Sequence, residues 1–312
     1  MVTQQVSSER LVVPQMHVSS LPSQMKAPYS HDFPIGVDLT ALGAHRPEWE
    51  IVEDDEGFFE FMNYPKLASA AYAAFRGGID FVTLGSEFTL RSDEKIPSMD
   101  SVSAAQRLHT IADIDVHAGL PVQADAVAAV DHQITEVPGS LHIEFDMSDE
   151  DPDVLSSALV AAHTASVSVR VRAQEIEHRT DLVSLIVEHA DEVHLVGTWE
   201  DIKLAADAIR RAAQVVERVV CIFAVCSIIV SGERGAARER ENMLSLMMNQ
   251  PLFTDEWAVI GTVYDVVDEV QRSMRSSLID GLVFIPEALP TDLASLIRGV
   301  LPLVRDDSRG GE

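Results

Sequence analysis

The sequence contains no apolar run of about 18 residues, the length that a membrane-spanning helix requires, so we expect no membrane span. The longest apolar stretch, residues 219–230, is interrupted by Ser227 and is better suited to a buried strand. The first residues show no charged start followed by an apolar block, so we expect no secretory signal either.

Basic residues and cysteines are also scarce. Lys and Arg total 23 against 50 Asp and Glu, which gives a formal net charge of -27. A surface of this charge repels phosphate backbones, so we expect no nucleic-acid partner. Cys221 and Cys226 lie five residues apart in one predicted strand and point to opposite faces, which argues against a disulfide between them. We expect both to be thiols in a reducing, cytoplasmic environment.

Several sequence motifs that indicate a particular reaction or ligand are absent. The sequence has no P-loop, no GxGxxG and no GxSxG motif, so no phosphate-binding loop of these types and no nucleophile is indicated. It has no HxH or HExxH spacing, so no metal site is predicted. His117, His142 and His194 fall within predicted strands and are expected to be ordinary packed histidines.

What the chain does contain is a repeated alternation of strand and helix patterns. Hydrophobic residues make up 46% of the 312 residues, which is enough for a large core. Eight apolar segments are each followed, or nearly so, by a helical pattern, and they are 33–40, 80–85, 114–120, 141–147, 166–172, 192–196, 219–230 and 281–285. This rhythm predicts an α/β fold, the (β/α)8 TIM barrel, which typically needs about 250 residues.

The same pattern divides the chain into three parts. Residues 1–32 show no periodicity and are predicted to be a flexible tail, residues 33–306 form the barrel, and residues 307–312 form a flexible end. In such a barrel the functional residues lie at the carboxyl ends of the strands.

Five segments resemble the luciferase-like flavin-dependent monooxygenases, a family that includes bacterial luciferase. In chain order they are VDLTALGAHRPEW (37–49), AFRGGIDFVTLGSEF (74–88), MDSVSAAQRLHTIADIDVHAGLPV (99–122), AVAAVDHQITEVPGSLHIEF (126–145) and GTVYDVVDEVQRSMRSSLIDGLVFIPEALPTDLASLIRGVLPLVRD (261–306). The last contains a Gly-Thr helix start, an apolar strand ending in Pro and a closing helix.

The resemblance implies a barrel that binds reduced FMN, or a reduced deazaflavin coenzyme, and acts on a small organic substrate. It also implies a flavin reductase as partner, O2 as cosubstrate in the monooxygenases, and a homodimer formed through the helices at 64–76 and 101–111. This chain resembles a divergent and shortened member. Only residues 148–165 connect the fourth and fifth strands, where the family usually has a long insertion.

Two residues are the candidates for catalysis. His45 follows the first strand and is placed to contact flavin or substrate; an exposed loop histidine is the alternative. Glu87 follows the second strand and is a candidate base, and a solvated loop carboxylate is the alternative.

Four residues are the candidates for binding the cofactor. Ser148 after the fourth strand matches a polar position of the family near the flavin, and helix capping is its alternative role. Arg172 ends the fifth strand and is predicted to pair with a flavin phosphate or with an internal carboxylate, Asp146 or Glu144. Arg179 and Thr180 are placed to help bind the phosphate.

One segment departs from the family pattern and leaves two functions open. The family commonly has a small Gly/Ser-rich turn after the fifth strand, where backbone N–H groups hold the phosphate. Residues 173–179 contain no glycine, and Glu175 and Glu177 would repel a phosphate. The chain is therefore either a flavin-dependent oxidoreductase or a non-catalytic relative that has lost the cofactor and serves as a subunit or binding protein.

Overall fold

The computed structural model describes Tyr29 and residues 31–42, 64–90, 99–112, 114–136, 142–147, 152–162 and 165–307. Within these ranges eight parallel strands close into a barrel that is surrounded by helices. The predicted (β/α)8 TIM barrel of the α/β class is confirmed.

The barrel closes because its first strand pairs with its last, Ile35 with Leu282 in register. The barrel strands are β1 (Ile35–Asp38), β2 (Phe81–Leu84), β5 (Val116–Leu120), β6 (His142–Asp146), β7 (Ser166–Arg172), β8 (Glu192–Val196), β9 (Cys221–Val230) and β11 (Gly281–Pro286). Three further strands lie outside this ring. The antiparallel pair β3 (Thr89–Leu90) and β4 (Met99–Asp100) follows β2, and β10 (Ala258–Gly261) pairs with the upper half of β9.

The helices follow the amphipathic pattern of the sequence. They are α1 (Tyr64–Arg76), α2 (Ser101–Ala112), α3 (Ala124–Glu136), α4 (Pro152–Ala161), α5 (Ala173–His178), α6 (Thr180–His189), α7 (Trp199–Val215), α8 (Arg234–Met247), α9 (Val263–Ser276), α10 (Leu289–Ser295) and α11 (Leu301–Asp307). In α1 the buried residues Leu67, Ala71 and Ala74 recur at helical spacing on one face. Gly77 and Gly78 follow α1, and Gly78 has a φ of 95°, a conformation that β-carbon-bearing residues rarely adopt.

Three elements differ from the sequence prediction. The short helix α5 occupies the segment that we expected to be a loop after the fifth strand. Strand β10 extends the sheet where β8 ends, and the Trp257 amide donates to the Gly197 carbonyl at 2.7 Å. The single closing helix predicted at 291–304 is divided by a π-helical turn at Leu296–Val300.

The packing of the barrel begins earlier in the chain than the predicted boundary at Phe33. Tyr29 lies inside the barrel, where its ring packs against Phe81 and Phe223. His31 Nδ1 lies 2.6 Å from Asp80, and Arg305 of α11 binds the same carboxylate at 2.7 Å. Tyr29 and His31 thus contact the barrel although they fall within the predicted tail, 1–32. Residues 1–28 and 308–312 lie outside the described ranges, so the predicted domain boundaries stay predictions.

The interior of the barrel has an apolar half and a polar half. Phe81, Phe223, Val225 and Val283 pack together on the side formed by β2, β9 and β11. The inner positions of β5 to β8 carry charged and imidazole side chains instead, which is unusual because branched apolar residues normally fill a TIM barrel. Among the described helices, none combines the length and the apolar character needed to cross a membrane.

The fold requires glycine at position 119, where β5 meets the turn after β2. A β-carbon at Gly119 would lie 2.3 Å from the Ser86 amide nitrogen and 2.4 Å from the Gly85 carbonyl carbon, and both are backbone atoms that cannot rotate away. We expect Gly119→Ala to lower the free energy of unfolding by about 3 kcal/mol, measured by urea denaturation. The control Gly235→Ala, whose β-carbon would meet nothing within 4 Å, should be neutral or slightly stabilising.

The start of α9 is held by a capping box. The Asp265 amide donates to the Thr262 hydroxyl, and the Asp265 carboxylate accepts from the Thr262 amide at 2.8 Å. We expect Asp265→Ala to cost about 1 kcal/mol of stability at neutral pH, and the control Asp268→Ala, an exposed residue of the same helix, to cost less than about 0.5 kcal/mol.

The contribution of this capping box to the free energy of unfolding depends on pH. Hydrogen bonds from Arg234 and from the Thr262 amide hold the pKa of Asp265 well below its usual range. A lowered pKa in the folded state stabilises the fold above the unfolded-state pKa of about 3.9, and this contribution is lost as the pH falls further. The stability difference between the wild type and Asp265→Ala should therefore shrink below about pH 4; a constant difference from pH 7 to pH 2 would contradict it.

Candidate functional site

Arg170 on β7 is the centre of the polar half of the barrel. Its guanidinium lies 2.8 Å from Asp38 on β1 and 3.1 Å from Glu144 on β6, and it donates to the Thr83 hydroxyl at 3.3 Å. The two carboxylates raise the pKa of Arg170 although burial opposes this, so its charge is permanent. One cation on β7 thus contacts side chains of three other strands, β1, β2 and β6.

A second set of ionisable groups lies next to this ion pair. Glu144 also contacts Nδ1 of His194, a fully buried residue of β8. Burial alone would raise the pKa of Glu144, but Arg170 and His194 hold it at about 2. Conversely, Glu144 and Glu192 raise the pKa of His194 against the effect of its burial. This chain of contacts passes through the interior from β7 to β8.

Deeper in the barrel four ring side chains surround Glu192, namely Tyr29, His117, His142 and His194. The Tyr29 hydroxyl donates to Glu192 Oε1 at 2.6 Å and lies 3.2 Å from His117 Nε2. His117 and His142, which are register partners on β5 and β6, stack with ring centroids 3.7 Å apart. Burial, followed by the neighbouring His142 and His194, lowers the pKa of His117 well below the usual value, so this imidazole is neutral.

At the carboxyl ends of the strands the described residues form a charged rim. Glu87, the predicted base, is exposed there, and its pKa is raised by partial burial and by Asp38 and Asp146, while Arg170 lowers it. Arg172 is exposed at the end of β7. A carboxylate with a raised pKa at the mouth of a barrel is suited to accept a proton, which is consistent with the role predicted for Glu87.

The predicted site residues have different outcomes. His45 and Ser148 lie outside the described residues, so their roles stay predictions. The internal salt bridge that we expected for Arg172 is made by Arg170 instead, because Arg170 is one inner position deeper and reaches Glu144. Arg172 remains at the exposed rim, with Asp146 exposed on the neighbouring strand.

The segment after β7 does not form the small-residue turn that holds a flavin phosphate in the family that the sequence resembles. Helix α5 occupies it, with Ala173 and Ile176 buried. Arg179 pairs with Glu175 at 3.4 Å, and Thr180 is the first residue of α6. The six residues of α5 lie between Arg172 and Arg179, which places the two arginines about 10 Å apart along the helix axis. The described residues of this segment therefore do not fit a glycine-type phosphate cradle, and any phosphate contact would come from the arginines and the α6 N terminus.

The convergence of three histidines in the interior was not predicted from the sequence. His117, His142 and His194 come from three different strands, so no short motif connects them. The available signal was positional: each occupies an inner position of its strand, and β5 pairs with β6 while β7 lies between β6 and β8. Within the described ranges, they lie with Glu144 and Glu192 in two overlapping groups whose donor atoms are within 4.8 Å of one another. Cys221 and Cys226 are free thiols, as predicted.

Comparison with known proteins supports the resemblance at the level of the fold. No protein-family model matches the sequence, and no curated protein matches it significantly. The structure is similar to that of EDTA monooxygenase (EmoA) from Chelativorans sp. BNC1, with a TM-score of 0.66 and 11% identity over 89% of this chain and 94% of that one. It is also similar to long-chain alkane monooxygenase (LadA), with a TM-score of 0.64 and 13% identity over 90% and 92% of the two chains.

A third similar structure is an F420-dependent secondary alcohol dehydrogenase, with a TM-score of 0.58 and 10% identity over 88% of this chain and all of that one (100%). The predicted resemblance to luciferase-like monooxygenases is thus confirmed as a shared barrel, which extends over most of the chain.

Substitution of Arg170 tests whether it is the partner of the buried carboxylates in the polar half of the barrel. We expect Arg170→Met to lower the free energy of unfolding by about 3–5 kcal/mol, because Asp38 and Glu144 would remain buried without their cation. The matched control is Arg172→Met, two residues along the same face but exposed, which should change stability by less than about 0.5 kcal/mol. Equal effects of the two substitutions in urea denaturation would contradict the assignment of Arg170 as the internal partner.

Proposed function

We propose that this chain is a flavin-dependent oxidoreductase of the luciferase-like type that acts on a small organic molecule at the mouth of its barrel. Reduced FMN or a reduced deazaflavin would be its cofactor, and O2 its cosubstrate if it is a monooxygenase. The observation that carries the proposal is the closed barrel, which aligns over about nine-tenths of the chain with structures named as monooxygenases and as an F420-dependent dehydrogenase. In such an enzyme the cofactor supplies the redox chemistry, and the protein orients it and excludes water.

The rim provides groups suited to this role. Glu87 has a raised pKa and its neighbours Asp38 and Arg170 lie below the mouth, so the rim can hold a proton close to a bound substrate. Arg172 contributes a positive charge at the end of β7. In this proposal Glu87 and His45 are the catalytic residues, and Ser148, Arg172, Arg179 and Thr180 bind the cofactor.

A specific observation favours a second candidate function. Helix α5 replaces the expected phosphate-binding turn, and Glu175 next to Arg179 would oppose an anion. A barrel that has lost its phosphate site would be a non-catalytic relative, acting as a subunit or binding protein. The two candidates differ in one property that can be measured, the binding of a flavin.

Flavin binding should be measured by fluorescence titration with FMN and with a deazaflavin, each oxidised and, under anaerobic conditions, reduced. The enzymatic proposal expects saturable binding of at least one form below about 100 μM. Arg172→Glu should weaken it about tenfold or more, because it replaces a phosphate-attracting charge with a repelling one.

The matched control is Arg211→Glu, an exposed arginine on α7 that pairs only locally with Asp207 at 3.0 Å. It makes the same change in net charge, so it should leave the affinity within about twofold. If no flavin form binds at 100 μM, the non-catalytic candidate replaces the enzymatic one. If both variants weaken binding equally, the effect is one of net charge and Arg172 is not a phosphate contact.

The proposed partners are a flavin reductase, which would supply the reduced cofactor, and a second copy of the chain. The helices suggested for the dimer are α1 and α2, and α1 exposes the aromatic side chains of Tyr72 and Phe75. Exposed aromatic residues are typical of contact surfaces between proteins. The cytoplasmic location stays a prediction.

A further inference from the structure

The lower part of the polar interior contains donor atoms that face one another without hydrogen bonds. His142 Nε2 and His117 Nδ1 each lie 3.9 Å from Glu192 Oε2, and His194 Nε2 lies 3.7 Å from the same oxygen. All four atoms are buried and make no hydrogen bond in the structure. Since buried polar groups are nearly always hydrogen bonded, three such nitrogens around one carboxylate oxygen require an explanation.

The hydrogen bonds at the edge of this group determine which atom of His117 carries the proton. The Tyr29 hydroxyl donates to Glu192 Oε1, so its oxygen accepts from His117 Nε2. A neutral His117 protonated on Nε2 has a lone pair on Nδ1. His117 Nδ1 lies 3.9 Å from Glu192 Oε2, and two acceptors this close to each other are stabilised by a cation between them.

His194 is oriented in the same way from the other side. Its Nδ1 contacts the Glu144 carboxylate, which leaves Nε2 directed towards Glu192. A carboxylate that holds one imidazole nitrogen while the other faces a cation is the usual arrangement around histidine ligands of metals. The hydroxyl of Tyr29 would have the same orienting function for His117 and Glu192.

The net charge of the buried groups also favours a cation. Asp38, Glu144 and Glu192 are buried carboxylates, and Arg170 is the permanent cation that faces two of them. Glu192, by contrast, contacts three histidines and the Tyr29 hydroxyl, and no arginine or lysine among the described residues pairs with it. A cation bound beside Glu192 would supply the missing positive charge, and burying a carboxylate without one is costly.

We propose that His117, His142 and Glu192, with His194 as the fourth ligand, form a buried site for a divalent first-row transition-metal ion such as Zn²⁺. Imidazole and carboxylate are the ligands that Zn²⁺ shares with other ions of this row. In a tetrahedral site with bonds of about 2.0–2.2 Å the donor atoms lie about 3.4 Å apart. The three nitrogens lie 3.7–3.9 Å from Glu192 Oε2, so binding requires a contraction of these distances together with a change in the orientation of the rings.

The position of the site indicates a structural role. His117 and His194 are fully buried and the other ligands nearly so, which leaves no open position for a substrate. Phe81 and His142 stack on the two faces of His117, at centroid distances of 4.3 and 3.7 Å, so the imidazoles must tilt to direct their lone pairs at one ion. Because of this packing, the ion has to enter during folding, and the ion would then connect β5, β6 and β8.

The first test is the metal content of the intact chain. The wild type is produced in medium containing ZnSO4 and dialysed against metal-free buffer, and its zinc content is measured by inductively coupled plasma mass spectrometry. We expect about one Zn²⁺ per chain. The matched control His178→Ala, which removes an exposed histidine outside the cluster, should retain the same amount. A wild type that retains no metal would overturn the proposal, and the polar interior would then be neutralised by protons on the histidines.

Variants then locate the ion. Glu192→Gln keeps the shape of the side chain and His142→Ala removes the least buried imidazole; each should reduce bound Zn²⁺ at least tenfold while circular dichroism shows a folded chain. Tyr29→Phe, which removes only the orienting hydroxyl, should weaken binding about 10–100-fold. If folded Glu192→Gln or His142→Ala holds as much Zn²⁺ as the wild type, the site is elsewhere and the proposal fails.

Replacing Zn²⁺ with Co²⁺ distinguishes an ion in the buried site from ions bound to surface carboxylates, which are numerous in a chain with a net charge of -27. The wild type, refolded with CoCl2, should show the intense visible absorption of a four-coordinate Co²⁺ ion, and its melting temperature should exceed that of the chain refolded with a chelator by at least about 4 °C. The weak spectrum of six-coordinate Co²⁺ alone would indicate surface binding and overturn the proposal. None of these measurements involves a flavin, so their failure is distinct from failure of the proposed function.

Discussion

The structure depends most on the charge of Arg170, which is held between carboxylates of β1 and β6 in the interior of the barrel. A buried arginine between two carboxylates contributes little net stability compared with apolar packing, but it is costly to remove because it leaves charges without a partner. The same cation sets the electrostatic environment of the groups around it. It lowers the pKa of Glu144 and opposes the rise in that of Glu87, so the interior and the rim are linked by one side chain.

The division of the barrel into two halves follows from this arrangement. Phe81, Phe223 and Val283 supply the close packing that a barrel needs, and they border the polar half directly through the stack of Phe81 on His117. The apolar half stabilises the fold by burial, whereas the polar half restricts which ions and protons the interior can hold. A barrel of this kind has chemistry at two levels: the rim, where a cofactor is proposed to bind, and the interior below it, where a metal ion is proposed.

Much of the fold was predictable because each element is encoded locally. The apolar strands and the helices between them were recognised from periodicity. Strand β10 was missed, and α5 was taken for a loop because six residues give too short a pattern. The site was harder to predict. The correct residue type was chosen at the end of β7, but Arg170 rather than Arg172 makes the internal contacts, since depth within a barrel depends on the stagger of neighbouring strands.

The sequence alone determined the order of strands and helices, the barrel class and the acidic character of the chain, since these depend on local patterns and on composition. Only the tertiary structure decided that His117, His142, His194, Glu144 and Glu192 share one interior. These five residues come from three strands whose separation along the chain reveals nothing about their distance in space. The closure and register of the sheet bring them within a few ångströms, and both are properties of the assembled barrel rather than of any segment.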